Sequence, residues 1–194
     1  MDKLFNINGI VVITGAAGLM GKEHAKAVLE YGGSVALIDI NEGELNKFKS
    51  LMDINGHNKI YVYCCDITKK ENVDNILKDL LLKEDKIVGL INNAAMNPSV
   101  GSKLESDNNL ESFDLYSWDT ELNVGIKGSL ICSMVFGGQM AKNGYGSIVN
   151  ISSDLGLIAP DHRLYFDNTT GLKQYKPVTY SVIKHALIGL TKYT

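Results

Sequence analysis

The sequence predicts an α/β fold, a parallel sheet wound on both faces by helices. Three observations predict it. Short β-branched apolar runs alternate with segments of helical period. These runs lack polar alternation, as strands buried on both faces should. A glycine-rich turn joins the first run to the first helix, and an acidic residue closes the second run. Strand–helix–strand units cross over right-handedly and build a doubly wound sheet. Ligands of such sheets bind beyond the carboxyl ends of the strands.

The elements follow in order. Ile10-Val11-Val12-Ile13 is the first strand. Ala25, Val28 and Leu29 fall at helical spacing, and Gly32-Gly33 stops that helix. Val35-Ala36-Leu37-Ile38 is the second strand, and Leu45, Phe48, Leu51 and Met52 mark the second helix. Ile60–Cys64 is the third strand. Thr68 and Glu71 form a capping box for a third helix with the stripe Val73, Ile76, Leu77, Leu80 and Leu81. Ile87–Ile91 is the fourth strand. A polar loop over about 96–113 leads to a long helix from near Ser117 to Lys142. In it Gly125, Ser129 and Ser133 make a small-residue face, open to a partner helix or to the sheet. Ser147–Ile151 is the fifth strand. A stretch with Pro and Asp over 154–178 precedes a last helix from about Thr179.

Composition narrows the function classes. The 194 residues suffice for one domain, 1–194, and 45% of them are apolar. A net charge of -3, with 18 Lys scattered along the chain, lacks the footprint of a nucleic-acid binder. No apolar run approaches the ~20 residues of a membrane helix. The start, Met1-Asp2-Lys3-Leu4-Phe5, does not read as a secretion signal, which makes a cytoplasmic protein the expectation. Cys64, Cys65 and Cys132 are an odd count, and neighbours on a strand face opposite ways, so structural thiols are expected. His24, His57, His162 and His185 are far apart, and no metal site is expected.

Thr14-Gly15-Ala16-Ala17-Gly18-Leu19-Met20-Gly21 is a phosphate-binding turn in the right context. Gly15 permits the tight turn, Gly18 a close pyrophosphate and Gly21 close packing of helix on sheet. The helix start, with Leu19 and Met20, offers unpaired N–H groups and a positive dipole end. Asp39, with Ile40 after it, could accept from both ribose hydroxyls of an adenosine and would repel a 2′-phosphate. NAD is thus favoured over NADP, although Lys22 could meet a phosphate; a helix N-cap is the plainer reading of Asp39.

Tyr180 and Lys184 lie four apart on one helix face. An ammonium near a phenol makes it a usable proton donor and acceptor. No other tyrosine of the nine has a lysine four residues later. Ser152 and Ser153 end the fifth strand, where one hydroxyl could hold a substrate oxygen and the other cap the backbone.

The ordered set Thr14-Gly15…Gly21, Asp66, Asn92-Asn93-Ala94-Ala95, Asn123, Ser153, Tyr180 and Lys184 resembles the short-chain dehydrogenase/reductase family. The resemblance implies a Rossmann fold and hydride transfer between nicotinamide and a secondary alcohol or its carbonyl. It implies that Asp66 and Ile67 meet the adenine, and that Asn93, Ala94 and Ala95 line the cofactor. Tyr180 would be the acid/base, Ser153 the holder of the substrate oxygen, Lys184 the binder of the nicotinamide ribose, and Asn123 the holder of a relay water. It also implies a small-molecule substrate and a homodimer or homotetramer.

Four departures qualify the match. The glycines are spaced TGxxGxxG, as in the extended branch of sugar-nucleotide epimerases and dehydratases. Ser153 and Tyr180 are 27 residues apart, longer than the single-domain branch allows. That insertion carries the only Arg, Arg163, which could hold an anionic or polyhydroxyl substrate. Ala95 replaces a glycine, and the family continues past Thr194, so the C-terminal part of the usual domain is missing. The expected function is an NAD-dependent oxidoreductase of the single-domain branch acting on a sugar or sugar derivative. An extended-branch epimerase or dehydratase with retained NAD, and a non-catalytic nucleotide-binding module, are the alternatives.

Overall fold

The computed structural model describes residues 6–53, 59–83, 86–96, 108–166 and 175–194. Met1–Phe5, His57, residues 97–107 of the polar loop and 167–174 of the stretch before the last helix lie outside them. The strands are β1 (Ile10–Thr14), β2 (Ser34–Asp39), β3 (Ile60–Cys64), β4 (Ile87–Asn92) and β5 (Ser147–Asn150). They form one parallel sheet in the order β3-β2-β1-β4-β5. The chain winds outward from β1 to β3, then restarts at β4 on the other side of β1. That reversal is the switch point at which doubly wound sheets bind ligands.

Two compact units are distinguished, residues 1–94 with 128–150, and residues 95–127 with 151–194. The first holds the sheet. Its helices are α1 (Leu19–Glu30), α2 (Glu42–Met52), α3 (Lys70–Lys83), α5 (Ser129–Cys132) and α6 (Gly138–Asn143). Strand residues alternate in direction, so each strand feeds two cores. Val11, Ile13, Val35 and Leu37 pack with Ala25, Val28, Leu45 and Phe48 of α1 and α2. Ile10, Val12, Ala36 and Ile38 pack with Val73, Ile76, Leu80, Ile131 and Phe136 on the other face. Each fully buried aliphatic side chain of this kind contributes roughly 1.5–3 kcal/mol.

The helix ends have local causes. Gly32, at φ +82°, follows α1 as the glycine stop predicts. Asn41 caps α2, its side chain accepting from the Glu44 N–H. The expected Thr68/Glu71 capping box is corrected: the Thr68 N–H and hydroxyl both donate to Asp66 Oδ1, and α3 begins at Lys70. Asp66, two residues upstream, is simply nearer.

The second unit contains α4 (Leu115–Leu122) and α7 (Val178–Tyr193). Asp114 caps α4 by accepting from the Tyr116 and Ser117 N–H groups. The predicted long helix is helical over 115–143, but two π-helical turns interrupt it, Asn123–Gly128 and Ser133–Gly137. No hydrophobic period could reveal these. The small-residue face is turned inward. A Cβ at Gly125 would lie 2.6 Å from Ile183 Cγ2 of α7, while Ser129 and Ser133 are buried in the first unit. It makes no surface for a partner helix.

Cys65 and Cys132 are buried, and burial pushes their thiols up to about 11 and about 12. Cys64 is exposed, which corrects its reading as a structural thiol. Among the described residues no helix is long and apolar enough to cross a membrane.

One contact of the sheet has a pH signature. Tyr63 donates to Asp79 Oδ2 at 2.7 Å, and Lys83 holds the same carboxylate. Burial and the Asp79 carboxylate push the Tyr63 phenol well above the ordinary tyrosine range. A folded-state value above the unfolded one means stability that is full below about pH 10 and lost as pH rises beyond it. Tyr63→Phe is expected to cost about 1 kcal/mol near neutral pH. It should also remove this component of the alkaline loss, seen by comparing urea melts at about pH 8 and about pH 10.5.

Candidate active site

The first unit forms a cradle at the carboxyl end of β1. Gly15 sits at φ +63°, which an L side chain adopts only with strain. A Cβ there would also lie 2.7 Å from the Ala94 Cα. At Gly21 a Cβ would lie 2.4 Å from the Gly15 carbonyl oxygen and 2.7 Å from the Ala16 Cα. At Gly18 the nearest atom is that same oxygen, at 3.3 Å. Gly18 is the N-cap of α1 and no side chain caps the helix, whose first residues Leu19 and Met20 are exposed. Bare N–H groups above a glycine turn at a helix N-terminus suit a diphosphate. The residues present therefore fit a dinucleotide.

β4 fastens the turn. Thr14 Oγ1 accepts from the Asn93 and Ala94 N–H groups at 3.1 Å each. Asn93 Nδ2 donates to the carbonyls of Thr14 and Gly15 at 3.1 and 3.0 Å. Buried Asn92 donates to Asn150 Oδ1 at 2.8 Å and to Ser133 Oγ at 3.1 Å, tying β4 to β5 and to the helical layer. Ala95 is exposed.

Asp39, at the end of β2, accepts from the Ala17 N–H through Oδ2 and from the Asn41 N–H through Oδ1, each at 3.0 Å. It is thus not the N-cap of α2 but the anchor of the residue that is. Ile40 beside it is 75% exposed, open to a ligand. The Cys65 N–H donates to the Asp39 carbonyl at 2.9 Å, which sets Asp66 and buried Ile67 next in line along the strand ends.

The second unit gathers Ser153, Tyr180 and Lys184. Ser153 and Tyr180 line one cavity of about 430 Å³, with Asp154, Ile158, Asp161, Leu164 and Lys176 among the other wall residues. Lys184 is 5% exposed and its ammonium donates to the Ile151 carbonyl at 2.6 Å. Burial lowers its pKa below the ordinary lysine range. The Lys184 Nζ stands 5.6 Å from the Tyr180 ring centroid. Ser152 donates to the Lys184 carbonyl at 2.8 Å. The capping role expected of one serine falls to Ser153: its Oγ accepts from the Leu155 N–H of a short 3-10 turn, Asp154–Gly156, and donates to Asp154 Oδ1 at 2.7 Å. That bond, with the Leu155 N–H, holds the Asp154 carboxyl below its usual range.

Two candidates stand apart from the cavity wall. Arg163 forks onto Asp161, Nε to Oδ1 at 2.9 Å and Nη2 to Oδ2 at 2.6 Å, with its side chain 89% exposed. The wall includes Asp161 and not Arg163. Asn123 is exposed and opens the first π-helical turn, two residues before the glycine that packs on α7. π-turns recur at functional sites. Sequence reasoning missed Lys176, whose Nζ lies 4.3 Å from the Tyr180 ring centroid. It precedes Tyr180 by the same four residues that mark Lys184, so the spacing held the signal.

Known proteins resemble this chain along most of its length. The family model described as short chain dehydrogenase matches residues 9–165. An NAD-dependent glycerol dehydrogenase of Listeria innocua is 31% identical over 193 residues, 98% of this chain and 65% of that protein. A post-translational flagellin modification protein A of Campylobacter coli is 30% identical over 178 residues, 91% of this chain and 66% of that protein. The crystal structure of an NAD+-bound xylitol dehydrogenase superposes with TM-score 0.81 at 25% identity, covering 98% of this chain and 65% of that one. The chain thus spans about two thirds of the length of these relatives or slightly less. With the family model matching residues 9–165 and the parallel sheet of a Rossmann fold, the chain belongs to the short-chain dehydrogenase/reductase family of oxidoreductases.

Proposed function

We propose that this chain is part of an NAD-dependent oxidoreductase that interconverts a secondary alcohol and its carbonyl on a small polyhydroxylated molecule. One observation carries the reading: Ser153 and Tyr180 line a single cavity while Lys184 is pinned behind the tyrosine ring. Residues 1–194 are taken as one NAD(P)-binding domain. The polyol class rests on the glycerol and xylitol dehydrogenases among its relatives, and on a cavity that combines carboxylate, ammonium and hydroxyl groups. A cytoplasmic home suits three free thiols, and a homodimer or homotetramer is the assembly the family suggests.

When bound, the nicotinamide supplies the hydride acceptor or donor. The protein supplies position and the proton. Tyr180 Oη takes the proton from an alcohol or gives it to a developing alkoxide. Ser153 must turn its hydroxyl from Asp154 to hold the substrate oxygen. Lys184 stays on the Ile151 carbonyl and keeps a positive charge behind the phenol. Asn123 holds the relay water by family analogy alone. Thr14, Gly15, Gly18, Leu19, Met20 and Gly21 receive the diphosphate. Asp39 receives the adenosine ribose, with Ile40, Asp66, Ile67, Asn93, Ala94 and Ala95 around the cofactor. A 2′-phosphate would meet the Asp39 carboxylate, which favours NAD over NADP.

A titration followed by intrinsic fluorescence is expected to show NADH binding at least about tenfold tighter than NADPH. NAD with a panel of polyols, glycerol and xylitol first, should then give NADH absorbance. Tighter NADPH binding, or binding of neither, would overturn the reading. The Ser153–Asp154 bond favours a second reading, an epimerase or dehydratase with retained NAD, because it places an acid beside the substrate hydroxyl. Net NADH release with a simple polyol excludes it.

A further inference from the structure

Lys22 directly follows Gly21, in the first turn of α1. A cation there opposes the positive end of the helix dipole. It is also well placed, in sequence, to meet a phosphate brought to the glycine turn. The structure turns it elsewhere. Its Nζ lies 2.7 Å from Glu44 Oε2, in the first turn of α2. Both side chains are only partly exposed, 28% and 39%. Lys47 adds a second cation at 3.6 Å from the other oxygen of Glu44, and the Lys22 bond holds the Glu44 carboxyl below its usual range.

This ion pair closes a ring of contacts around the end of β2. The Ala17 N–H of the glycine turn donates to Asp39 Oδ2. The Asn41 N–H donates to Asp39 Oδ1. The Glu44 N–H donates to Asn41 Oδ1 at 3.1 Å. Glu44 then reaches back through Lys22 to α1. Each link spans one hydrogen bond, so Lys22 and Glu44 share the patch on which Asp39 presents its carboxylate.

We propose that Glu44 is a cofactor-selectivity residue: by holding Lys22, it withdraws from the adenosine site a cation that would otherwise pair with a 2′-phosphate. The inference rests on the dinucleotide reading above and goes beyond Asp39. Asp39 repels the 2′-phosphate, and Glu44 denies it a counter-charge. Without Glu44 the lysine loses its fixed partner and the patch loses one negative charge. An ammonium–phosphate hydrogen bond is charge-assisted, but in the parent it forms only by breaking the Lys22–Glu44 hydrogen bond, which is charge-assisted too.

Calorimetry with ADP and 2′,5′-ADP, neither of which carries nicotinamide, tests this on the whole chain without an assay of turnover. The parent should bind ADP more tightly. Glu44→Gln should leave ADP affinity unchanged, which also reports an intact fold, and tighten 2′,5′-ADP by about tenfold. The double variant Lys22→Met/Glu44→Gln should lose that gain. Glu42→Gln, which removes an equal charge from the same turn, should show little of it. No gain in Glu44→Gln, a gain that survives in the double variant, or an equal gain in Glu42→Gln would each overturn the role of Glu44. A parent that binds neither probe overturns the dinucleotide reading and this inference with it.

Discussion

Replacing Tyr180 with Phe is expected to lower kcat for polyol oxidation by about 10³-fold, with NADH affinity within about twofold of the parent. That factor corresponds to about 4 kcal/mol of transition-state stabilisation. The substitution removes one oxygen and little else. Phe keeps the ring over which the ammonium groups of Lys176 and Lys184 stand, at 4.3 and 5.6 Å. It also keeps the cavity wall. What disappears is the atom proposed to take or give the proton, so kcat should fall and binding should not. Steady-state rates beside an NADH titration check it. A variant retaining more than a tenth of parental kcat would remove Tyr180 from the chemistry and revive a purely nucleotide-binding role.

The second large effect concerns Gly21. A single methyl there would stand 2.4 Å from the Gly15 carbonyl and 2.7 Å from the Ala16 Cα. Both obstacles are backbone of the phosphate turn, which β4 holds through Thr14 and Asn93. The turn cannot give way without breaking those bonds. Gly21→Ala is expected to weaken NADH binding by more than about 100-fold and to destabilise the fold by about 3 kcal/mol. Gly18→Ala meets only the Gly15 oxygen, at 3.3 Å, and should be several-fold milder. Calorimetric titration and thermal melts of the two variants rank them. If Gly21→Ala bound NADH as the parent does, the cradle would not be the dinucleotide site.

The sheet was legible because each strand is a short apolar run with a marked end. Ile10–Ile13 needed no context, and Gly32 and Asp39 punctuated what followed. The doubly wound class was legible too, since right-handed crossovers leave few alternatives, while the order β3-β2-β1-β4-β5 came from the structure. The π-turns were not. An extra residue in a helical turn changes no residue type, and Asn123-Val124-Gly125 reads as ordinary helix. The Thr68 capping box misled because a pattern names candidate partners without ranking them by distance, and Asp66 was nearer. At the site, the four-residue spacing predicted one helix face for Tyr180 and Lys184, and the Lys184 Nζ stands 5.6 Å from the Tyr180 ring centroid. Lys22 was misjudged for the opposite reason: its charge was visible and its partner, 22 residues away on another helix, was not.

The grip on Lys184 bears on how this protein can change. Ile151 and Ser152 hold the residue twice, once by its ammonium and once by its carbonyl. Gly156 closes the hold from below, since a Cβ there would meet Ser152 Oγ at 2.6 Å and the Lys184 carbonyl at 2.8 Å. Lys184 is therefore fixed by backbone and a serine that are not part of the cavity wall. On the proposed function, the wall residues Ile158, Asp161 and Leu164 can be exchanged to admit other substrates while the lysine keeps its place.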